Sequence, residues 1–360
     1  MTEDFRLDEG KPLLILNDRH SRSGAGRYAS QLYEATSSYS DFVSSVWLVR
    51  EKRLEYPGIR FEPTNDNLLP ILDNIQAYLS LLFPQIFRRN YFTFVTQMKR
   101  KKRAVHYSSQ LVPLIKPSQT DIVSILDLIA LDTFPKYPFN YLRVKKFLKF
   151  SHILTISDVE REKVGVLSSN SEPQTIHPYV SKSFFPLDKA AAREKLNLKT
   201  KKHIVLSISS AESRKNTNII TEVMEKLGND YLLVRVGPRL KSELNFINID
   251  DKTLNFVYNS ADVLLFPTLS EGFGYPLIEA MACGVPLVSS DIPVVREVTG
   301  GSAILTDPFS VTQLTESILD LVNDSNDIVQ RELKRSRYFT LERFQSELLN
   351  YYKKIGVLDQ

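Results

Sequence analysis

Short apolar runs of strand length recur along the chain, and segments with helical spacing separate most of them. Leu13-Leu14-Ile15-Leu16 is the first such run, and similar ones predict strands at 43–49, 104–108, 121–128 and 152–156. A second series predicts strands at 203–208, 231–236, 263–266, 286–289 and 302–305. Runs this apolar suit strands that are buried on both faces. Alternation of strand and helix implies a parallel sheet covered by helices. Ile219, Ile220, Val223 and Leu227 form one helical stripe, and a last helix is expected over about 341–355. Ser157-Asp158 opens another helix with capping residues. Between the two series, residues 178–186 begin and end with proline, which discourages regular structure. The pattern is α/β, in two units.

The most informative stretch is Ser270-Glu271-Gly272-Phe273-Gly274-Tyr275-Pro276-Leu277-Ile278-Glu279-Ala280-Met281-Ala282-Cys283-Gly284. It reads as a loop and a helix following the strand Val263-Leu264-Leu265-Phe266. Gly272 and Gly274 mark a tight turn. Pro276 occupies a first helical position and Gly284 a stop. Glu271 then lies on the loop and Glu279 in the first helical turn. Free amides at Gly272, Phe273 and Gly274 and the positive helix end favour an anionic ligand. The second carboxylate can hold hydroxyls of a sugar or ribose. Arg214 and Lys215 follow the strand ending at Ile208, where two cations form a natural pyrophosphate clamp. The loop after the first strand carries Arg19, His20, Arg22, Gly24 and Gly26. It either approaches a phosphate or simply packs helix on strand.

At 360 residues the chain suits two domains. Its formal charge of +4 carries no nucleic-acid signal. The single cysteine, Cys283, excludes an intramolecular disulfide and fits a reducing compartment. No CxxC or clustered His/Cys set suggests a structural metal. The N-terminus is polar and acidic, unlike a secretory signal, and no apolar run approaches the roughly 18 residues a membrane span needs. A cytoplasmic protein is expected. Residues 68–103 combine apolar and aromatic residues with a basic block, Lys99-Arg100-Lys101-Lys102-Arg103. That composition suits core helices with a basic turn, or peripheral contact with the cytoplasmic face of an anionic membrane. No nucleic-acid motif accompanies it.

The Glu271-x7-Glu279 segment, with Gly-Phe-Gly, the proline and Glu-Ala-Met-Ala-x-Gly-x-Pro, resembles family 4 retaining glycosyltransferases. Arg214-Lys215-Asn216, Ser23-Gly24-Ala25-Gly26-Arg27-Tyr28 and Tyr258-Asn259-Ser260-Ala261-Asp262 resemble other segments of that family. The resemblance implies a GT-B fold, with two Rossmann-like domains facing a central cleft. Residues 1–182 would form the acceptor-side domain, joined by a C-terminal helix at about 340–360. Residues 183–339 would form the donor-binding domain. It also implies that Glu271 contacts the transferred sugar and Glu279 binds ribose. Lys215 and Arg214 would stabilise the diphosphate in place of a metal, so neither metal nor other cofactor is expected. Gly24, Gly26, Gly237, Gly272, Phe273, Gly274, Tyr275, Pro276 and Leu277 would line the donor, with residues near Asn248 bordering the nucleobase.

Two segments depart from the family. Many relatives carry a further arginine where this chain has Ser207, Ser209 and Ser210. Many also read His-Asp-Leu where this chain reads Leu126-Asp127-Leu128. His20, His106 and Asp127 are the acceptor-side candidates. The expected activity is retaining transfer of a mannose- or glucose-type hexose from a nucleotide sugar to a glycan or lipid-linked saccharide. The alternatives are an inactive nucleotide-sugar-binding module, or an epimerase or phosphorylase on the same architecture. A nicotinamide enzyme is disfavoured, since Gly24 and Gly26 lack the full G-x-G-x-x-G context.

Overall fold

The computed structural model describes residues 11–17, 23–44, 104–110, 118–132, 138–240 and 244–359. His20 and the basic aromatic block up to Arg103 lie outside them. The chain divides into two units, Met1–Ile156 with Glu160–Ile176 and Gln345–Gln360, and Ser157–Val159 with His177–Phe344. The first division falls before the expected 182/183, and the last helix, Leu341–Lys354, starts in the second unit and ends in the first.

The first unit holds β1 (Leu13–Asn17), β2 (Ser40–Ser44), β3 (Ala104–Tyr107), β4 (Ile122–Ile125), β5 (His152–Thr155) and β6 (Gln174–Thr175). Their order is β2-β1-β3-β4-β5-β6 and every pairing is parallel. Strand β1 is buried throughout because both faces of the sheet are covered. Leu14, Val105, Tyr107, Val123, Phe147 and Phe150 belong to one core cluster. The helix Gly24–Thr36 takes both Gly24 and Gly26 of the expected loop into its first turn, because Ser23 caps it by accepting from the Gly26 N–H.

Strand β4 is shorter than the run 121–128 suggests, and side chains replace the ladder at both ends. Asp121 accepts from the backbone of Val105 and Ser118. Gln110 accepts from the Leu126 N–H and donates to the Asp127 carbonyl, at 3.0 and 2.7 Å.

A buried polar chain crosses this unit. Tyr28 Oη and His106 Nε2 both bond Ser124 Oγ, at 3.0 and 2.8 Å, and His106 Nδ1 bonds Tyr352 Oη at 2.6 Å. All four residues are fully buried. Tyr352 belongs to the last helix, whose Gln345 also donates to the Ala35 carbonyl. Burial pushes the His106 pKa from 6.5 down to about 3, so the ring is neutral and both its nitrogens are used.

The second unit holds β7 (His203–Ile208), β8 (Tyr231–Val236), β9 (Leu244–Phe246), β10 (Val263–Phe266), β11 (Leu287–Ser290) and β12 (Ile304–Thr306). The order is β12-β11-β10-β7-β8-β9, again all parallel. Strands β7, β8 and β10 have the bounds the sequence predicts. Because β7 lies between β10 and β8, the loops leaving these three strands gather at one carboxyl edge. That is where ligands bind in open parallel sheets.

The His106 network makes stability depend on acid. A histidine whose folded pKa lies below its unfolded value contributes fully above pH 6.5 and loses that contribution as pH falls toward 3. The slope is at most about 1.4 kcal/mol per pH unit. His106→Asn is expected to cost stability at pH 7, with the cost shrinking at pH 5 in urea titrations. A cost that stays constant between the two would contradict a neutral buried ring.

Candidate active site

The segment after β10 turns at Gly274, whose φ of 98° strains any side chain; a Cβ there would also meet Leu277 Cδ1 at 2.9 Å. The helix that follows is Tyr275–Cys283, closed by Gly284 at φ 69°. It starts one residue before the expected Pro276. Glu279 is therefore its fifth residue, just past the first turn rather than in it. Phe273 is 2% exposed and packs on Tyr275, Phe339 and His177, with centroids 5.7, 5.7 and 6.1 Å away. Its side chain, like that of Leu277, is a core plug that pins the loop, so only the backbone there can face a ligand. The N–H groups of Gly272, Phe273 and Gly274 make no backbone hydrogen bond among the described residues.

Arg214 and Lys215 sit on one 3-10 turn, Ser213–Lys215, which ends at Asn216 in the left-handed region (φ 52°). Asn216 Nδ2 donates to the Pro308 carbonyl at 2.7 Å. The Arg214 carbonyl accepts from the Leu269 N–H at 2.7 Å and from Thr268 Oγ1 at 3.2 Å. These bonds stitch the loop after β7 to the loop after β10.

Glu271 joins the two loops through its side chain. It is only 9% exposed. Lys215 Nζ donates to Oε1, as does Thr268 Oγ1 at 3.0 Å, and Arg214 Nη1 lies 3.4 Å from Oε2. Arg214 also donates to the Ser270 carbonyl and, through Nε, to Glu212 at 2.7 Å. Burial raises the Glu212 pKa, but the Arg214 hydrogen bond and charge, with Lys215, outweigh it and hold the carboxyl below its ordinary value. The Lys215 ammonium lies 5.8 Å from the Phe266 ring centroid. Thr268, which sequence reading missed, thus orients the central carboxylate. A hydroxyl three residues before Glu271 was its only signal.

Glu279 is buried and accepts from Tyr258 Oη at 2.8 Å. Tyr258 therefore does more than pack. Burial, with the nearby charge of Glu279, pushes the Cys283 thiol pKa up. Gly237 follows β8 at φ 129°; its N–H donates to the Phe246 carbonyl, and Asn245 Nδ2 donates to the Gly237 carbonyl. Asn248 is also left-handed, at φ 56°.

In the first unit, Gly24 is exposed at the helix start and the Gly26 amide is already used by Ser23. Asp127 accepts from the Ile129 N–H at 3.2 Å, which caps the short helix Ile129–Asp132. Leu126 is buried. His106, an acceptor-side candidate from sequence, is instead locked in the core by its two hydrogen bonds. Asp158, His177 and Glu297 are the described residues close enough to share a metal ion. Glu297 already accepts from the Asp158 and Val159 N–H groups and pairs with His177 Nε2 at 2.6 Å. That arrangement is a helix cap.

Gly237 admits no side chain: a Cβ would stand 2.1 Å from the Ser209 carbonyl oxygen. Gly237→Ala is expected to cost about 3 kcal/mol or more, through strain and displacement of the strand ends. Denaturant unfolding of the variant checks this, and unchanged stability would contradict the packing.

Residues 188–338 match the family described as "Glycosyl transferases group 1". The O-antigen chain mannosyltransferase B of Escherichia coli is 32% identical over 108 residues, 29% of this chain and 28% of that protein. The O-antigen chain mannosyltransferase RfbU of Salmonella typhimurium is 25% identical over 255 residues, 64% of this chain and 69% of that protein. The aligned parts thus span from about a quarter to about two thirds of these relatives' lengths. Sucrose-phosphate synthase from Thermosynechococcus elongatus superposes with a TM-score of 0.71 at 18% identity, covering 96% of this chain and 99% of that one. The two parallel-sheet units are those of the GT-B fold, and the second of them, over residues 188–338, is similar to group 1 glycosyl transferases.

Proposed function

We propose that the chain transfers a mannose- or glucose-type hexose from a nucleoside diphosphate sugar to a glycan or lipid-linked saccharide, with retention at the anomeric carbon. The observation that carries this reading is the bonding of both Lys215 and Arg214 to one buried carboxylate, Glu271, beside the Gly272–Gly274 amides. Two cations held in place at the carboxyl edge of a parallel sheet suit a diphosphate that gains charge as it leaves. Amides at the start of a helix add to that preference. The names of the two mannosyltransferase relatives support a hexose donor.

In this reading the bond from the anomeric carbon to the phosphate oxygen breaks, and a bond to an acceptor hydroxyl oxygen forms on the same face. The leaving phosphate takes the acceptor's proton, and Lys215 and Arg214 carry the negative charge that develops on it. Glu271 faces the transferred sugar and offsets positive charge at the reacting carbon. Glu279, oriented by Tyr258, receives the ribose hydroxyls. No divalent cation is required. A second reading, a nucleotide-sugar-binding module without turnover, is favoured by one observation: the position of the family's usual histidine is a buried leucine, Leu126.

Nucleoside diphosphate release, screened over uracil-, guanine-, thymine- and adenine-based sugars with and without lipid-linked acceptors, separates the two. Release that needs an acceptor supports transfer, and tight binding without release supports the inactive module. Lys215→Ala is expected to remove about 2–4 kcal/mol of transition-state stabilisation. Near-normal turnover would contradict its role. EDTA should leave the rate unchanged, and a loss restored by Mg²⁺ or Mn²⁺ would contradict the metal-free reading.

Contact with the cytoplasmic face of a membrane belongs to the same proposal and rests on the sequence of residues 83–103. No described helix is long and apolar enough to cross a membrane. Each cation near an anionic surface adds about 1 kcal/mol. Wild type should therefore co-sediment with phosphatidylserine vesicles at low salt, and a variant with Lys99, Arg100, Lys101, Lys102 and Arg103 changed to Ser should not. Equal behaviour of the two would remove the membrane contact and the preference for a lipid-linked acceptor.

A further inference from the structure

One buried charge of the second sheet is left unused by the donor-site reading. Arg235 interrupts the otherwise apolar strand β8, opposite Ser207 in the β7 register. It is 0% exposed. Its Nε donates to the Pro238 carbonyl, Nη1 to Ser207 Oγ, and Nη2 to both the carbonyl and Oγ of Ser209, all at 3.0 Å. Ser209 is the first residue past β7 and Pro238 the second past β8, so the guanidinium ties the two strand ends together. These are two of the three strand ends that border the candidate active site.

Every one of those acceptors is neutral. Among the described residues no carboxylate forms an ion pair with Arg235, and burial alone acts on its pKa, lowering it. A guanidinium stays protonated in a protein, so the charge is buried without a counter-ion. Such a charge costs several kcal/mol, which neutral hydrogen bonds offset only in part. Within the ion-paired cluster the balance is even: Lys215 and Arg214 face Glu271 and Glu212, two cations against two carboxylates, while Glu279 bonds Tyr258. Arg235 is thus a cation beside the strand ends that no described carboxylate pairs with, and an arriving dianion would supply the missing counter-charge. One of its five N–H groups is still available, since four bonds are made.

We propose that Arg235 is a positioning residue for the donor diphosphate, fixing the ends of β7 and β8 and supplying an unpaired positive charge that draws the dianion to them. The charge comes from the neighbouring strand, in a chain that offers Ser207 near the end of β7 and Ser209 and Ser210 just past it. This inference rests on the donor-site reading above.

The test compares charged and uncharged ligands. UDP with uridine, and GDP with guanosine, are titrated calorimetrically into wild type, Arg235→Met and Arg235→Lys, with each variant's melting temperature measured alongside. The expected result for Arg235→Met is a loss of roughly tenfold or more in diphosphate affinity with nucleoside affinity changed less than about twofold. Arg235→Lys, which keeps the charge, should retain most of the diphosphate preference. Equal losses for diphosphate and nucleoside would make Arg235 purely structural and overturn the proposal, as would an unchanged diphosphate affinity. Should Arg235→Met not fold, the Arg235 Nε resonance of wild type, assigned from Arg235→Lys, is followed instead. It should move on adding the diphosphate and stay on adding the nucleoside; the same response to both would overturn the proposal. Wild type that binds diphosphate no better than nucleoside would remove the donor-site reading itself, and this inference with it.

Discussion

The candidate site depends on one buried carboxylate. Glu271 is nearly removed from water, and an unpaired ion in that setting would cost several kcal/mol. Lys215, Arg214 and Thr268 offset that cost by bonding both of its oxygens. The same bonds hold the two cations in a fixed place before any ligand arrives. Charges arranged in advance need little reorganisation when a leaving group develops its own, and this is a large source of electrostatic catalysis. The ion cluster thus serves stability and the proposed chemistry together.

That cluster exists because of strand order. β10 pairs with β7, and β7 with β8, so three loops distant in sequence leave the sheet side by side. Backbone bonds from Leu269 to Arg214, and from Gly237 to Phe246, set how the loops lie. Close approach leaves no room for a Cβ at Gly237, and the turn into the helix Tyr275–Cys283 needs the left-handed backbone of Gly274. Phe273 and Phe339 pack edge to face beneath that turn. The glycines and the buried ring do opposite jobs at adjacent positions: one frees the backbone and the other anchors it.

Much of this was legible in the sequence. The strands β7, β8 and β10 are buried on both faces and read as apolar runs, so their limits emerged correctly. The Glu271 loop could be read because Gly, Pro and a closing Gly each impose a backbone state of their own. What could not be read depends on contacts across the sheet. β6 and β9 are two and three residues long, too short for any periodicity. The end of β4 is set by Gln110, sixteen positions before Leu126. His106 reads from sequence as an acceptor-side candidate or a structural histidine, and the partners that decide for the core, Ser124 and Tyr352, come from a different strand and the last helix. Arg235 gave a signal that could have been used, since an arginine inside a buried apolar strand must find partners. Its partners, however, lie on β7 and in the loops after β7 and β8.

The proposed function requires a nucleoside diphosphate to bind beside Lys215 and the Gly272–Gly274 amides. A crystal structure of the chain with the nucleoside diphosphate it binds most tightly tests this directly. Phosphate oxygens are expected within hydrogen-bonding distance of Lys215 Nζ and of at least one of those amides, with the ribose hydroxyls on Glu279. Phosphates bound elsewhere, with the Glu271–Lys215–Arg214 cluster untouched, would contradict it.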